Sequence, residues 1–98
     1  MPGDTDRRIA ACTRLNGDNS LSAATRALAL SSRGLAREEK GDVKGAMADY
    51  DEAIRLDPRA ANAHLFRSGL FRNAKNKLAR LPEMRNLANA TMIFVFGL

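Results

Sequence analysis

The chain has 98 residues, of which 45% are hydrophobic and 28% charged, so it has room for one small domain. That length excludes a large multidomain enzyme, and a single cysteine, Cys12, excludes a disulfide scaffold. One Tyr, four Phe and no Trp predict a lean core in a chain short enough to be marginally stable.

The formal net charge of +5 is distributed unevenly along the chain. Residues 1–34 carry +2, residues 35–58 carry −3 and residues 59–98 carry +6. Such a balance bears on association with acidic partners rather than on the fold. The N-terminus lacks the apolar stretch of a secretory signal, and no window approaches the ~20 apolar residues of a membrane span. We therefore predict a cytoplasmic protein with no membrane span.

Capping and terminating residues predict two helices in the first 41 residues. Short polar side chains accept hydrogen bonds from the unpaired N–H groups at a helix start, and Gly adopts the left-handed conformation that often follows a helix end. The expected bounds are Asp4 or Thr5 to Asn16-Gly17 for the first helix and Ser20 or Ser22 to Lys40-Gly41 for the second.

The third helix has the clearest periodicity in the chain. Asp42 suits its N-cap, and it should end before Pro58, because the residue preceding a proline is pushed out of the helical conformation. Its apolar face consists of Val43, Ala46, Met47, Tyr50, Ala53 and Ile54. The opposite face, which we expect to be solvated, consists of Asp49, Asp51, Glu52 and Arg55. On that face Asp51 and Arg55 have the i,i+4 spacing of an ion pair.

Only Gly41 and Asp42 separate the second and third helices, so the two should fold back as an antiparallel αα-hairpin. A fourth helix is expected over about 60–75, with apolar positions at Ala60, Ala63, Leu65, Phe66, Leu70 and Phe71. Pro82 with Glu83 suits the start of a short fifth helix. No strand is predicted, and the fold class is therefore all-α.

Small and aromatic residues recur at fixed spacings between residues 27 and 60. They are Gly34, Gly41, Ala46, Tyr50, Ala53 and Pro58. This pattern resembles one tetratricopeptide repeat (TPR), a 34-residue helical hairpin, and the run from Ala46 to Pro58 is similar to bacterial members. Gly34 and Ala46 are small enough to let the two helices approach, and Tyr50 would fill the space they leave.

Three positions depart from the usual pattern of the family. Leu30 stands where Trp is common, Arg33 where Leu is common and Arg37 where Tyr is common. The resemblance extends weakly to both sides, over residues 9–15 and 62–69. It divides the chain into a partial repeat helix with an insertion (1–26), a complete hairpin (27–60) and a partial repeat helix with a divergent apolar-ended tail (61–98).

The implied fold is a short solenoid of stacked antiparallel αα-hairpins. Two interpretations stay open for its last segment, Met92–Leu98, which is apolar and β-prone. It packs over the exposed end of the last hairpin as a cap, or it is an aggregation-prone end.

The resemblance implies a non-enzymatic interaction module, an adaptor or scaffold, that binds a peptide or protein segment or self-associates. In the family the first helix of each repeat lines a concave groove. The corresponding positions here are Ser31, Leu35, Glu38, Asn62, Leu65, Arg72 and Asn73. Apolar residues such as Leu35 and Leu65 replace the polar residues with which some members clamp a C-terminal carboxylate, so we expect no such clamp.

The sequence predicts no catalytic residue, no cofactor site and no metal site. Cys12 and His64 are the only Cys and His in the chain, and metal ligation would need more of them. We interpret Cys12 as a small buried hydrophobe and His64, in an aromatic slot of the fourth helix, as a packing residue. The acidic residues 49, 51, 52 and 57 lack the spacing of a calcium loop.

Two other functions are kept as alternatives. A nucleic-acid-binding helical protein is suggested by the basic residues Arg59, Arg67, Arg72, Lys75, Lys77, Arg80 and Arg85. Phe66 and Phe71 are available to stack on bases, but they fall on the predicted packing face, so a solvated basic surface is the preferred interpretation. The other alternative is a truncated TPR fragment without an autonomous function.

Overall fold

The computed structural model describes residues 2–82, and within them the chain forms four α-helices and no strand. The helices are α1 (Pro2–Asn16), α2 (Ala23–Glu39), α3 (Val43–Leu56) and α4 (Ala61–Arg80). The predicted all-α class is confirmed. The predicted fifth helix after Pro82 and the apolar tail Met92–Leu98 lie outside the described residues.

The caps of α2 and α3 are formed as predicted. The Ser22 hydroxyl accepts a hydrogen bond from the Thr25 N–H at 3.1 Å, and the Asp42 carboxylate accepts one from the Gly45 N–H at 2.9 Å. Gly41, between the two helices, has a φ of 83°, a left-handed conformation that favours glycine. The link between the two helices has three residues, 40–42, one more than expected, and α2 and α3 form a helical hairpin.

Two predicted helix bounds are wrong. The first helix begins at Pro2 instead of being capped by Asp4 or Thr5, since proline is tolerated in the first turn of a helix. The fourth helix continues to Arg80, beyond the expected residue 75. Neither Gly nor Pro interrupts the sequence between Leu70 and Leu81, so nothing local ends the helix until Pro82 approaches.

Small residues form most of the core between the helices. The first core cluster consists of Ala27, Leu30, Ala53 and Ala63, and the second of Ala46, Tyr50 and Leu70. Gly34 of α2 lies against the Tyr50 ring, and a Cβ atom on that glycine would overlap the ring carbons. The close approach of α2 and α3 therefore depends on the missing side chain at Gly34, while Tyr50 fills the space between them.

The outer helices are attached to this hairpin in different ways. α1 packs on α2, and it is further held by an exposed ion pair between Arg8 and Glu39 at 2.9 Å. α4 packs on both α2 and α3 through its first half. Ala63 enters the first core cluster, Leu70 enters the second, and the Phe66 ring lies 6.0 Å from the Tyr50 ring, centroid to centroid.

Two of the residues predicted to pack in α4 are exposed. Phe71 is 55% exposed, because the preceding Leu70 takes the core position. His64 is exposed beside the buried Ala63, and its Nε2 lies 2.9 Å from the Pro58 carbonyl oxygen. The packing role expected for these two residues is therefore wrong, since a shift of one position along a helix turns the side chain by about 100°.

The ion pair predicted between Asp51 and Arg55 is also wrong. Asp51 accepts a hydrogen bond from Arg67 of α4 at 2.9 Å, and Arg55 binds Glu52 one turn before it. The packing of α4 on α3 brings Arg67 within reach of Asp51, which the sequence of α3 alone does not indicate.

Candidate functional site

An apolar concave surface lies where the second half of α4 extends past the start of α3. It is a groove of about 470 Å³, which we call the α4 groove. Its apolar lining consists of Val43, Leu70, Ala74, Leu78 and Leu81, and its polar lining of Glu38, Asn73 and Lys77. This volume lies within the range of surface sites that bind small ligands or side chains.

The groove arises because α4 is longer than the helix it packs on. α4 has 20 residues and α3 has 14. Leu70 is the last buried residue of α4, and between Phe71 and Arg80 only Ala74 is half-buried. Leu78 in this second half, Leu81 just after it and Val43 at the start of α3 thus line an open surface within the described part of the chain.

A second, smaller depression of about 270 Å³ lies at the other end of α2 and α4. It is lined by Ala24, Leu28, Ser31, Asp57, Arg59, Ala60, Ala61 and Asn62. The first half of α2, the link between α3 and α4, and the first two residues of α4 supply these residues. Half of these lining residues are polar or charged, which makes the depression a weaker candidate for binding an apolar segment.

The structure divides the predicted groove residues between these two depressions. Ser31 and Asn62 line the smaller one, and Glu38 and Asn73 line the α4 groove. The remaining three, which do not line either of them, are Leu35, Leu65 and Arg72.

Two of the predicted groove residues differ sharply in what they offer to a ligand. Ser31 is buried and donates its hydroxyl hydrogen to the Ala27 carbonyl oxygen at 3.0 Å, so it is already used inside α2. Leu65 is 64% exposed on α4 and presents an apolar surface.

The polar edge of the α4 groove is tied to the core. The Tyr50 hydroxyl donates a hydrogen bond to the Glu38 carboxylate at 2.5 Å. Burial of the ring and, to a smaller extent, this hydrogen bond raise the pKa of Tyr50 well above its ordinary value of 10.0. Glu38 is therefore held in place beside the groove, and Lys77 supplies a charge of opposite sign.

A buried carboxylate also joins α2 to α3. Asp49 is only 2% exposed and accepts hydrogen bonds from Arg33 at 2.7 and 3.0 Å and from Arg37 at 2.9 Å. Arg33 also donates to the Thr13 hydroxyl at 3.1 Å, which links α1 to the same cluster. The hydrogen bond that Arg33 donates to Asp49 raises the pKa of Arg33, so the guanidinium stays charged. The predicted solvation of Asp49 is wrong.

The signal that predicts this ion cluster was present in the sequence. Arg33 and Arg37 are one turn apart on α2, at two positions where the TPR pattern prefers apolar or aromatic residues. Two cations on a face that packs against a neighbouring helix need an acidic partner, because unpaired buried charge is costly. Asp49 on the facing helix supplies it.

The environment of the Cys12 thiol does not favour its reactive thiolate form. Cys12 is half-buried rather than buried, and burial raises the pKa of its thiol, with Arg33 and Arg8 acting in the opposite direction. A raised pKa keeps the thiol protonated near neutral pH. Between residues 2 and 82, no three His, Cys, Asp or Glu side chains are grouped so that they could hold a metal ion.

The basic residues of α4 lie mostly on its second half. Exposed cationic side chains there are Arg72, Lys75, Lys77 and Arg80. Arg67, earlier in the helix, is paired with Asp51. The exposed Phe71 ring lies within this basic stretch of the sequence.

No protein-family model, curated protein or solved structure matches this chain. Among the described residues, no helix combines the length and the apolar character needed to cross a membrane.

Proposed function

We propose that this chain is a non-enzymatic protein-interaction module of TPR type, with residues 27–60 as a complete repeat and α4 as the first helix of a following one. The α4 groove is its binding surface for a peptide or helical segment of another protein. The observation that carries this proposal is the row of exposed apolar side chains beside an otherwise well-packed helical hairpin.

The packing of the helices supports the repeat assignment. Gly34, Ala46 and Ala53, which match the small positions of the motif, are buried at helix contacts, and Tyr50 is buried between α2 and α3. α4 contacts both helices of the hairpin, as the first helix of a following repeat does when repeats stack. The second half of α4 then presents the surface that a further helix or a partner would cover.

A pair of matched leucine variants tests the proposed surface. Leu78 in the α4 groove is 48% exposed and Leu15 on α1 is 45% exposed, and each lies in the last turn of its helix. The full chain is used to capture proteins from the native host. We expect Leu15→Ser to leave the captured amount unchanged and Leu78→Ser to lower it by at least about 10-fold. The reason is that one buried leucine contributes about 1.5–3 kcal/mol to binding.

Equal capture by both variants would contradict the proposed surface. Self-association, the other form of this function, is measured by light scattering of the full chain at micromolar concentration. A dimer that dissociates with Leu78→Ser and persists with Leu15→Ser would place the groove in the contact between copies.

A second candidate function is binding of single-stranded nucleic acid along the second half of α4. The specific observation that favours it is the exposed Phe71, since an aromatic ring among exposed Arg and Lys side chains can stack on a base. It ranks below protein binding, because cationic side chains on one helix face need no ligand to be stable in water.

Fluorescence anisotropy with a labelled single-stranded oligonucleotide tests this second candidate. Binding should weaken steeply as salt rises, since counterions are released when phosphates are neutralised. Phe71→Ala should weaken it by about 5-fold or more, a change of about 1 kcal/mol in stacking. Absence of binding at low salt, or an affinity that does not change with salt concentration, rules out this function.

A further inference from the structure

We infer that the segment bound in the α4 groove is an acidic amphipathic helix of another protein, with carboxylates beside its apolar stripe. The inference rests on the proposed function, because it names the kind of segment that enters the groove assigned there. It goes further by fixing the conformation and the charge of that segment.

The lining of the groove favours a helical occupant over an extended one. It consists of side chains, and residues 2–82 contain no strand whose backbone could pair with an extended peptide. A helix satisfies its own backbone N–H and C=O groups, so it needs only side-chain contacts. The groove follows α4 from Leu70 to Leu81, a distance of about 16 Å, which matches about three turns of a partner helix.

Positive charge borders the apolar stripe of α4 on both sides. Leu78 and Leu81 of this stripe line the groove. Each residue advances by about 100° around a helix, so Lys75 lies about 60° beyond Leu78 on one side. On the other side Lys77 lies about 40° beyond Leu81, and Arg80 lies one turn after Lys77. A helix with an apolar stripe in the groove therefore has cations beside both of its edges.

α4 supplies no acid to neutralise these cations. From Pro58 to Pro82 the sequence contains no Asp or Glu. Lys75, Lys77 and Arg80 are exposed, and none of them forms an ion pair with another residue of the described part of the chain. Carboxylates on the occupant thus gain complementary charge without breaking an ion pair among these residues.

The acid on the groove lining fixes how the occupant is oriented. Glu38 belongs to α2, and its carboxylate accepts the Tyr50 hydroxyl hydrogen bond, so it stays beside the groove. Like charges that face each other are unfavourable. The carboxylates of the occupant should therefore face α4, and a neutral or basic edge should face Glu38.

A second copy and an anionic membrane fit this site less well. The acids on α1 and α3 that a second copy would offer are already paired with cations of their own chain; they are Asp4, Asp6, Asp51 and Glu52. A membrane with a negative surface would meet Glu38 and the exposed Asp42, which precedes Val43 of the lining. A flat bilayer surface also leaves a concave groove unfilled.

The first test uses three designed helical peptides as probes. Each has about 14 residues, a staple that holds it helical and the same leucine stripe, and the three differ only in their flanking residues, which are Glu, Gln or Lys. Fluorescence anisotropy with the unsubstituted full chain gives their affinities. We expect the Glu peptide to bind at least about 10-fold more tightly than the Lys peptide, and we expect this ratio to shrink as salt rises.

A matched pair of charge reversals locates the effect at the groove. Lys77→Glu and Arg72→Glu change the net charge equally, but Lys77 lines the groove and Arg72 does not. Lys77→Glu should weaken the Glu peptide by about 5-fold or more and strengthen the Lys peptide. Arg72→Glu should change either affinity by less than about 2-fold. Circular dichroism checks that both variants are helical, and the peptide series itself needs no variant.

Equal affinities for the Glu and Lys peptides, or no binding of any of the three, overturn the inference. Equal affinities that still fall with Leu78→Ser overturn the inference alone, because the groove then binds apolar helices whatever their charge. The proposed function fails separately, if capture from the host is the same for Leu78→Ser and Leu15→Ser. Sedimentation with vesicles of phosphatidylserine and phosphatidylcholine, without a preference for the Glu peptide, overturns the inference in favour of a membrane surface.

Discussion

The α2–α3 hairpin and the second half of α4 are both helical, yet their side chains meet opposite environments. In the hairpin, Gly34, Ala46 and Tyr50 fit together at a close helix contact, and Asp49 is buried with two arginines. From Phe71 to Arg80 every residue except Ala74 is exposed, including large apolar ones. The same helical periodicity thus builds a core where a facing helix exists and leaves apolar side chains exposed where, among the described residues, it does not.

The substitution expected to destabilise the packed hairpin most is Tyr50→Ala. Tyr50 is fully buried, so its truncation should cost about 3–5 kcal/mol and unfold much of a marginally stable chain at 37 °C. Phe71→Ala, at an exposed site, should change the free energy of unfolding by less than about 0.5 kcal/mol. Circular dichroism during urea unfolding gives both values, and similar values for the two variants would contradict the assigned core.

Removal of the buried carboxylate is the next largest change. Asp49→Ala leaves Arg33 and Arg37 without their acceptor at the α2–α3 contact. We expect a cost of about 2–3 kcal/mol, below that of a fully buried pair, because both arginines keep some contact with water. The control, Asp51→Ala, breaks an exposed pair with Arg67 and should cost at most about 1 kcal/mol. If the two variants lost the same free energy of unfolding in urea, Asp49 would have to be as exposed as Asp51.

Two glycines lie in contrasting surroundings, Gly34 at a close helix contact and Gly69 beside open space. Gly34→Ala puts a Cβ against the Tyr50 ring and should cost about 1–3 kcal/mol. Gly69→Ala on α4 meets no atom within 4 Å and should stabilise the chain by about 0.5–1 kcal/mol, because alanine is the better helix former. The sign of the change in Tm checks this prediction, and a stabilising Gly34→Ala would refute the close approach of α2 and α3.

The smallest effect near neutral pH, and a visible one in alkali, concerns the Tyr50 hydroxyl. Its pKa is raised in the folded chain, so folding favours the protonated form. That contribution to stability is complete below the ordinary pKa of 10.0 and is lost as pH rises above it. Tyr50 is the only tyrosine, so absorbance at 295 nm reports it alone. Tyrosinate should appear together with loss of helical circular dichroism, and its appearance at pH 10 with the helices intact would contradict burial.

The sequence predicted most of the hairpin. The Ser22 and Asp42 caps, the left-handed Gly41 and the end of α3 before Pro58 are each set by a few neighbouring residues. Such local signals act through backbone conformation and short-range hydrogen bonds, which a sequence pattern displays directly. The same patterns did not reveal the end of α4, because no capping residue marks it before Pro82.

The candidate site was predicted only in part. Four of the seven proposed groove residues line one of the two depressions, but only Glu38 and Asn73 lie at the α4 groove. Leu78 and Leu81, which line it, were not identified in the sequence, and Leu70 was expected only as an apolar position of the fourth helix. They become a site because α4 extends past α3, and this depends on how long one helix is relative to another.

The amino-acid sequence, taken by itself, determined that this small chain is helical, where its central hairpin turns and which face of α3 is apolar. These properties follow from caps, glycine conformation and 3.6-residue periodicity, all of which act over a few residues. The tertiary structure decided that Asp49 is buried, that Phe71 is exposed and that α4 leaves an apolar groove. Burial depends on which helix lies opposite, and that partner is distant in the sequence. Within this 98-residue chain of net charge +5, the described residues 2–82 form a hairpin core beside an apolar groove on α4.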